Sequence, residues 1–327
     1  MIVSSDVTTR SSTASAWHWL NDRGIAPALV LAVMVLALAV FAPSFVSAKS
    51  IASVLDQSAI LILLALAQGL IILLGRIDLS NAALTSFAAV LLAQWLGPWG
   101  WASLLAILVV TAIIGALQGW IHVFFQVPSF VVTLGTLGIV SGAALLLSGA
   151  STVLVTENKE MLAWLYERPN GIPIAFLAAL AIGLIMTVVF ARSVWGKEVI
   201  AVGLNERAAA YSGINTGRLI VLQFALAGLL GGVASLFLVG QLGAASPAIA
   251  NSYLLPGIAA VIVGGVSIAG GVGGPGRVIL GALIISVLRV GLDLLGVPDA
   301  YQPIVYGLVT IIAIAITVNR SRMVTVT

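Results

Sequence analysis

Ten apolar stretches, most of them about as long as a bilayer is thick, follow one another from Ile25 almost to the end of the chain. They run over 25–46, 51–74, 79–96, 101–126, 129–149, 172–191, 217–240, 253–270, 276–296 and 301–318. Of the 327 residues, 61% are hydrophobic and only 8% are charged, too little polar surface for water to wet a domain of this size. The sequence therefore predicts an all-α polytopic membrane protein with about ten transmembrane helices. No small-residue cleavage pattern follows the first stretch, so it is expected to stay as a span. The absence of cysteine removes disulfides, thiolate chemistry and cysteine-based metal sites.

An even number of spans puts both termini on one side. If that side is cytoplasmic, the inner segments hold Arg10, Arg23, Arg76, Arg192, Lys197, Arg207, Arg218, Arg277, Arg320 and Arg322, and the outer loops only Lys49, Lys159 and Arg168. This is the positive-inside pattern, and it predicts cytoplasmic N- and C-termini. The net charge of +3 is spread between apolar segments without a cluster, a signal of topology and not of nucleic-acid binding. Residues 1–24, rich in Ser and Thr, read as a disordered cytoplasmic tail, 25–318 as the transmembrane domain and 319–327 as a second cytoplasmic tail. Trp95, Trp99 and Trp101 flank a Gly97-Pro98 turn at one interface, with Trp120 and Trp195 near the other, as anchors at headgroup level. Gly115-Ala116-Leu117 followed by Val127-Pro128 matches Gly281-Ala282-Leu283 followed by Val297-Pro298. That match points to a five-plus-five inverted repeat with the pathway at the repeat interface.

Nothing in the chain resembles catalytic machinery. No glycine-rich phosphate loop ends in Gly-Lys-Ser/Thr, since Gly196-Lys197 is followed by Glu198. Gly271, Gly273 and Gly276 have G-x-G-x-x-G spacing, but Pro275 removes an amide such a loop would use, so a flexible cytoplasmic turn is expected there. His18 and His122 are far apart and lack a carboxylate at ligand spacing, so no metal is expected.

What polarity the spans hold is mostly neutral: Gln57, Gln68, Gln118 and Gln223, with Ser86, Thr133, Thr136 and Ser141. Amides and hydroxyls suit a neutral polyol better than an ion. Gly135, Gly138 and Gly142 are expected to allow close helix packing. Asp78 lies in Gly75-Arg76-Ile77-Asp78-Leu79-Ser80-Asn81, between the second and third stretches. A bare charge at mid-bilayer costs about 2.5–3.5 kcal/mol, so this segment must reach the interface or line a cavity. Two readings stand: a cytoplasmic turn in which Asp78 caps the next helix, or a broken helix lending its terminus to a substrate path. Arg289 and Asp293 share one helical face and are expected to pair with each other inside the membrane or to face the bundle interior, as a structural ion pair or one used for ion coupling.

The longest polar interruption on the expected cytoplasmic side spans 192–216. Asn205 is placed to cap a short helix over 206–212, Glu206 favours its positive N-terminal end, and Gly213 offers a left-handed stop. Seven residues make only about 10 Å of helix, too short to act inside a membrane. Held between two spans, it is either an ordinary solvated loop or a surface presented to a partner.

Four blocks, in order, carry a resemblance. They are Gly75 to Ser80; Pro128-Ser129-Phe130-Val131-Val132-Thr133-Leu134-Gly135; Gly196-Lys197 with Ala201 to Glu206, Ala208-Ala209 and Ser212 to Asn215; and Ile258 to Gly265 with Gly270-Gly271, Gly281-Ala282-Leu283 and Leu294 to Val297. Together, over most of the chain from Gln57 to Ile316, they resemble the permease subunit of ribose/xylose/arabinose-type ABC sugar importers. The resemblance implies a multi-pass permease of the bacterial inner membrane that works with a second permease subunit, identical or homologous, a cytoplasmic ABC ATPase and a periplasmic sugar-binding protein. It implies no cofactor, no catalytic residue and no nucleic-acid partner. On that footing Lys197, Asn205, Glu206, Arg207, Ser212 and Gly213 would couple to the ATPase. Gln57, Gln68, Asp78, Ser80, Asn81, Gln118 and Thr133 become candidates for the substrate path. The chain departs from the family pattern at Asn81-Ala82, where Val-Gly is expected, and at Arg76, where Gly is common, which puts the substrate in question. The rivals are a branched-chain amino-acid permease of the same gross design and an ion-gradient-driven carrier using Arg289 and Asp293. A membrane-embedded enzyme has no constellation to support it.

Overall fold

The computed structural model describes residues 25–317, so the two terminal tails expected at 1–24 and 319–327, with His18, lie outside the described residues. Within them the chain forms thirteen α-helices: α1 (Ile25–Phe41), α2 (Ala48–Ile72), α3 (Asn81–Trp99), α4 (Trp101–Phe125), α5 (Ser129–Ser148), α6 (Glu160–Ala163), α7 (Ile174–Arg192), α8 (Val194–Leu204), α9 (Glu206–Tyr211), α10 (Thr216–Leu242), α11 (Leu254–Val263), α12 (Pro275–Leu294) and α13 (Gln302–Thr317). Two short antiparallel strands, β1 (Val153–Leu154) and β2 (Ala244–Ala245), pair Val153 with Ala245.

By length and composition α2, α3, α4, α5, α7 and α10 can each cross a membrane. α1, α11 and α13 are apolar but shorter, at 17, 10 and 16 residues, and the 20-residue α12 carries Arg277, Arg289 and Asp293. The long helices divide into a centre and a rim: the apolar windows of α2, α3 and α10 are 67%, 67% and 61% buried, those of α4, α5 and α7 only 28%, 17% and 17%. α2 is the axis, with Ala59 to Leu74 buried on every side against α7, α10, α11 and α12. An all-round apolar helix belongs in such a place.

Local chemistry sets the helix ends. Ser47 caps α2 by accepting from the Ser50 amide at 3.2 Å, and Asn215 caps α10 by accepting from the Arg218 amide at 3.0 Å. Residues in left-handed conformation, Gly149 and Gly243 among them, stop the helices before them. α4 and α10 approach until backbones touch, because a Cβ on Gly115 would overlap the Phe224 carbonyl and one on Gly228 the Thr111 carbonyl. Gly135, Gly138 and Gly142 of α5, expected to serve that purpose, meet nothing within 4 Å and face outward.

Three expected boundaries change. The stretch 253–270 is helical only from Leu254 to Val263, about 15 Å and half a hydrocarbon core. Its glycine-rich continuation turns back, with Gly265, Gly270, Gly271 and Gly273 at positive φ. That turn is not a loose one, since the Gly271 amide donates to the Leu73 carbonyl at 2.9 Å. The first stretch ends at Phe41 and a 3₁₀ turn begins at Pro43. Gly97-Pro98 is no turn: Pro98 lies in the last turn of α3, the chain breaks at Gly100, and Trp95 stacks on Trp99 at 4.8 Å.

Candidate substrate path and coupling loop

The segment between α2 and α3 is where polar groups converge. α2 ends in paired bonds, Gly75 amide to Ile72 carbonyl at 2.8 Å and Arg76 amide to Ile71 carbonyl at 3.2 Å, with Gly75 at φ 70°. The chain then turns inward. Asp78 is 3% exposed, and its Oδ1 accepts from both the amide and the Oγ of Ser80, each at 2.7 Å. That arrangement turns the backbone into α3, so Asp78 does act on the next helix, but from a buried place and not from a solvated turn.

Neighbouring helices close around it. Gln68 Nε2 of α2 donates to the Asp78 carbonyl at 2.8 Å, and Gln118 Nε2 of α4 donates to Ser80 Oγ at 2.8 Å. From α5, Thr133 Oγ1 accepts from the Leu79 amide at 3.1 Å and Ser129 Oγ from the Ile77 amide at 3.3 Å. Asn81 Nδ2 donates to the Leu64 carbonyl at 3.3 Å. Six of the seven expected path residues, Gln68, Asp78, Ser80, Asn81, Gln118 and Thr133, thus form one cluster, all of them buried. Burial pushes the Asp78 carboxyl up from the ordinary carboxylate range, while hydrogen bonds from Ser80 and Asn81 pull it down.

The donors fix the orientation of two amides and leave their oxygens free: Gln68 Oε1 and Asn81 Oδ1 are buried and make no hydrogen bond. Both residues line a small cavity with Leu64, Ala82, Tyr253, Leu254 and Gly257. A buried carbonyl without a donor is destabilising by roughly 1–3 kcal/mol, so each oxygen can still accept a hydrogen bond from a group that reaches it. Gln57, the seventh expected path residue, lies about 16 Å along α2 from Gln68 and does not join the cluster. Near it stands a pair that sequence reasoning did not single out, Arg168 Nη2 to Asp56 Oδ2 at 2.6 Å.

At the same end of the bundle, the loop expected over 192–216 folds into α8 and α9. Asn205 caps α9, its Oδ1 accepting from the Ala208 amide at 3.0 Å, and Gly213 ends the segment at φ 87°. The helix closes one residue earlier than expected, at Tyr211. Ser212 Oγ donates to the Ala208 carbonyl at 3.0 Å, and Lys197, Arg207 and Ser212 are all exposed. Ala209, 4% exposed, anchors the helix, while Tyr211 at 93% exposed stands clear of it. Tyr211 belongs on the list of candidate contact residues, and its large ring on a six-residue helix was the available signal. Glu206 does not face outward alone: its Oε2 lies 2.7 Å from Arg76 Nη2.

Arg289 and Asp293 do not pair. The Arg289 guanidinium lies over the Tyr253 ring, 5.0 Å from its centroid, and Asp293 Oδ1 accepts from Gln302 Nε2 at 2.6 Å. Their shared helical face was read correctly, but α11's 3₁₀ approach and the start of α13 bring nearer partners to each. Among the described residues no group of three or more His, Asp or Glu side chains could hold a metal ion.

The family model described as "Branched-chain amino acid transport system / permease component" matches residues 50–314. The probable ABC transporter permease protein YphD of Escherichia coli is 34% identical over 298 residues, covering 90% of this chain and 89% of that protein. The ribose import permease protein RbsC of Escherichia coli is 31% identical over 310 residues, 91% and 94% of the two chains. The fructose import permease protein FrcC of Rhizobium meliloti is 29% identical over 327 residues, 96% and 91%. No solved structure matches. With the family model spanning most of the chain and these relatives aligned over most of both lengths, the chain is a multi-pass membrane protein belonging to this ABC transporter permease family, whose members are transport subunits and not enzymes.

Proposed function

We propose that this chain is the membrane-spanning subunit of an ATP-driven importer for a monosaccharide or related small polyol. It takes its substrate from a periplasmic binding protein and draws on ATP hydrolysis in a separate cytoplasmic subunit. The observation that carries the reading is the buried cluster of amides and hydroxyls around Asp78 and Ser80, with two amide oxygens left as acceptors for hydroxyl groups. Relatives named for ribose and fructose import support it. The substrate path then runs past Gln68, Asp78, Ser80, Asn81, Gln118 and Thr133, with Gln57 nearer the outer end. α9 and its flanks, Lys197, Asn205, Glu206, Arg207, Ser212 and Gly213, form the surface that meets the ATPase.

In this reading the protein sits in the bacterial inner membrane with ten spans and both termini cytoplasmic, and it works beside a second permease subunit. An inverted repeat of five and five spans is supported by matched packing: α4 lies on α10 as α12 lies on α2, and α3 lies on α5 as α11 lies on α13. A family described for branched-chain amino acids keeps a second reading in view, in which the cargo is a zwitterion. The ion-driven carrier has less support, because Arg289 and Asp293, the pair it would use, each have another partner.

The test is co-expression with the ATPase subunit and reconstitution in liposomes with the binding protein. Co-purification is expected, as are ATP hydrolysis stimulated by loaded binding protein and uptake of labelled ribose, fructose or galactose but not leucine. Leucine uptake without sugar uptake would establish the second reading. A Glu206→Arg, Gly213→Pro double variant is expected to stay folded and lose uptake; wild-type uptake in it would remove α9 from the mechanism.

A further inference from the structure

We infer that Arg76 is a positioning residue for transport: its side chain ties the first turn of α9 to the buried cluster, so that displacement of α9 moves the segment 76–81. This rests on the reading of α9 as the surface that meets the ATPase. Arg76 donates three ways, from Nη2 to Glu206 Oε2 at 2.7 Å, from Nε to His122 Nε2 at 2.7 Å and from Nη1 to the Leu74 carbonyl at 2.9 Å. A guanidinium only donates, so His122 Nε2 accepts and the ring proton sits on Nδ1, which donates to the Val127 carbonyl at 2.6 Å. The imidazole is thereby held at both nitrogens, and it holds Arg76 in turn. The Arg76 side chain is 11% exposed and that of Glu206 is 45% exposed, so the tie runs from a wet helix into a dry interior.

The backbone makes the same junction stiff. A Cβ on Gly203, two residues before α9's cap, would overlap both the Leu73 carbonyl and the Gly271 amide. The three segments 73–76, 203–206 and 269–271 therefore touch main chain to main chain. Only Ile77 separates Arg76 from Asp78, and its amide is bound to α5 through Ser129. At α9's other exit the backbone makes no such close approach, since Gly213 has nothing within 4 Å of its missing Cβ. Motion of α9 has a tight route, through Arg76 and the Gly203 junction, into the cluster. A cavity of about 490 Å³ beside it, lined by Arg76, Ile77, His122, Ser129 and Glu206 among others, gives the segment room to move.

The chain has no cysteine, so single reporters can be added directly. One bimane-labelled cysteine replaces Ile77, which lines the cavity, and a second, in a separate protein, replaces Tyr211 on α9. Each labelled permease is reconstituted in liposomes and exposed to the purified ATPase subunit with a non-hydrolysable ATP analogue. Both reporters are expected to shift. In Arg76→Gln and in Glu206→Ala backgrounds the Ile77 reporter should respond about fivefold less while the Tyr211 reporter still responds. Glu206→Ala removes both acceptor oxygens of a half-exposed side chain, so it answers the question even if Arg76→Gln folds poorly. A Tyr211 response with an undiminished Ile77 response in both variants, or with no Ile77 response in the parent, overturns the role of Arg76 alone. No Tyr211 response in the parent overturns the reading of α9 and this inference with it.

Discussion

Asp78 and Ser80 show how much one buried side chain decides. Asp78 Oδ1 is the acceptor for two donors of Ser80, a residue with no exposed surface. Replacing Asp78 with Leu leaves a buried amide unpaired, and a loss of roughly 1–3 kcal/mol is expected, read from thermal unfolding in detergent. Asp78→Asn keeps an oxygen in place and should melt near the parent at acid pH, where the carboxyl is protonated folded and unfolded alike. Because burial raises the folded carboxyl above its ordinary 3.8, ionisation of Asp78 removes stability as pH climbs from that value towards the folded pKa. The Asn variant lacks this loss, so its advantage over the parent should grow with pH across that interval and then level off. Residues with local roles were legible in the sequence: Asn205 caps α9 and Gly213 ends it, as their chemistry requires. Arg289 was not, because Tyr253 reaches it from a segment 36 positions earlier and no helical spacing announces that.

Helices were visible as apolar runs, and their ends were not always. α2, α3, α4, α5, α7 and α10 fall close to the expected stretches because bilayer-length hydrophobicity leaves few alternatives. α11 misled, since hydropathy scores glycine as nearly neutral and does not register that a glycine series can turn the chain. The cluster around Ser80 was legible as a residue list but not as a shape; α4 and α5 had to be packed against the break between α2 and α3 to bring Gln118 and Thr133 to it. Element ends also carry measurable energy. Asn205→Ala should destabilise the α9 region by about 1 kcal/mol, seen as faster amide exchange at Ala208 and Ala209 with the spans unaffected. Gly203→Val, by contrast, drives a branched side chain into two backbones and should abolish recovery of folded protein from membranes.

Ten spans with inward termini form a statement about the whole molecule, and a cysteine-free chain makes it simple to check. With single cysteines, Lys159→Cys should react with an impermeant maleimide on intact spheroplasts, and Ser212→Cys only after the membrane is opened. Labelling of Ser212→Cys from outside would invert the orientation. The short ribbon of β1 and β2 has a consequence in time. Val153 pairs with Ala245, the Val155 amide reaches the Gly243 carbonyl at 3.0 Å, and Tyr166 reaches the Phe237 carbonyl at 3.0 Å. Some ninety residues separate the two strands, and at ribosomal speeds their synthesis takes roughly 5–20 s. For that interval the segment after α5 has no partner strand, and the ribbon closes only once α10 has been made. The ribbon is thus a clasp between the two halves of the chain that needs only α7 and α10 of the second, ahead of α11, α12 and α13.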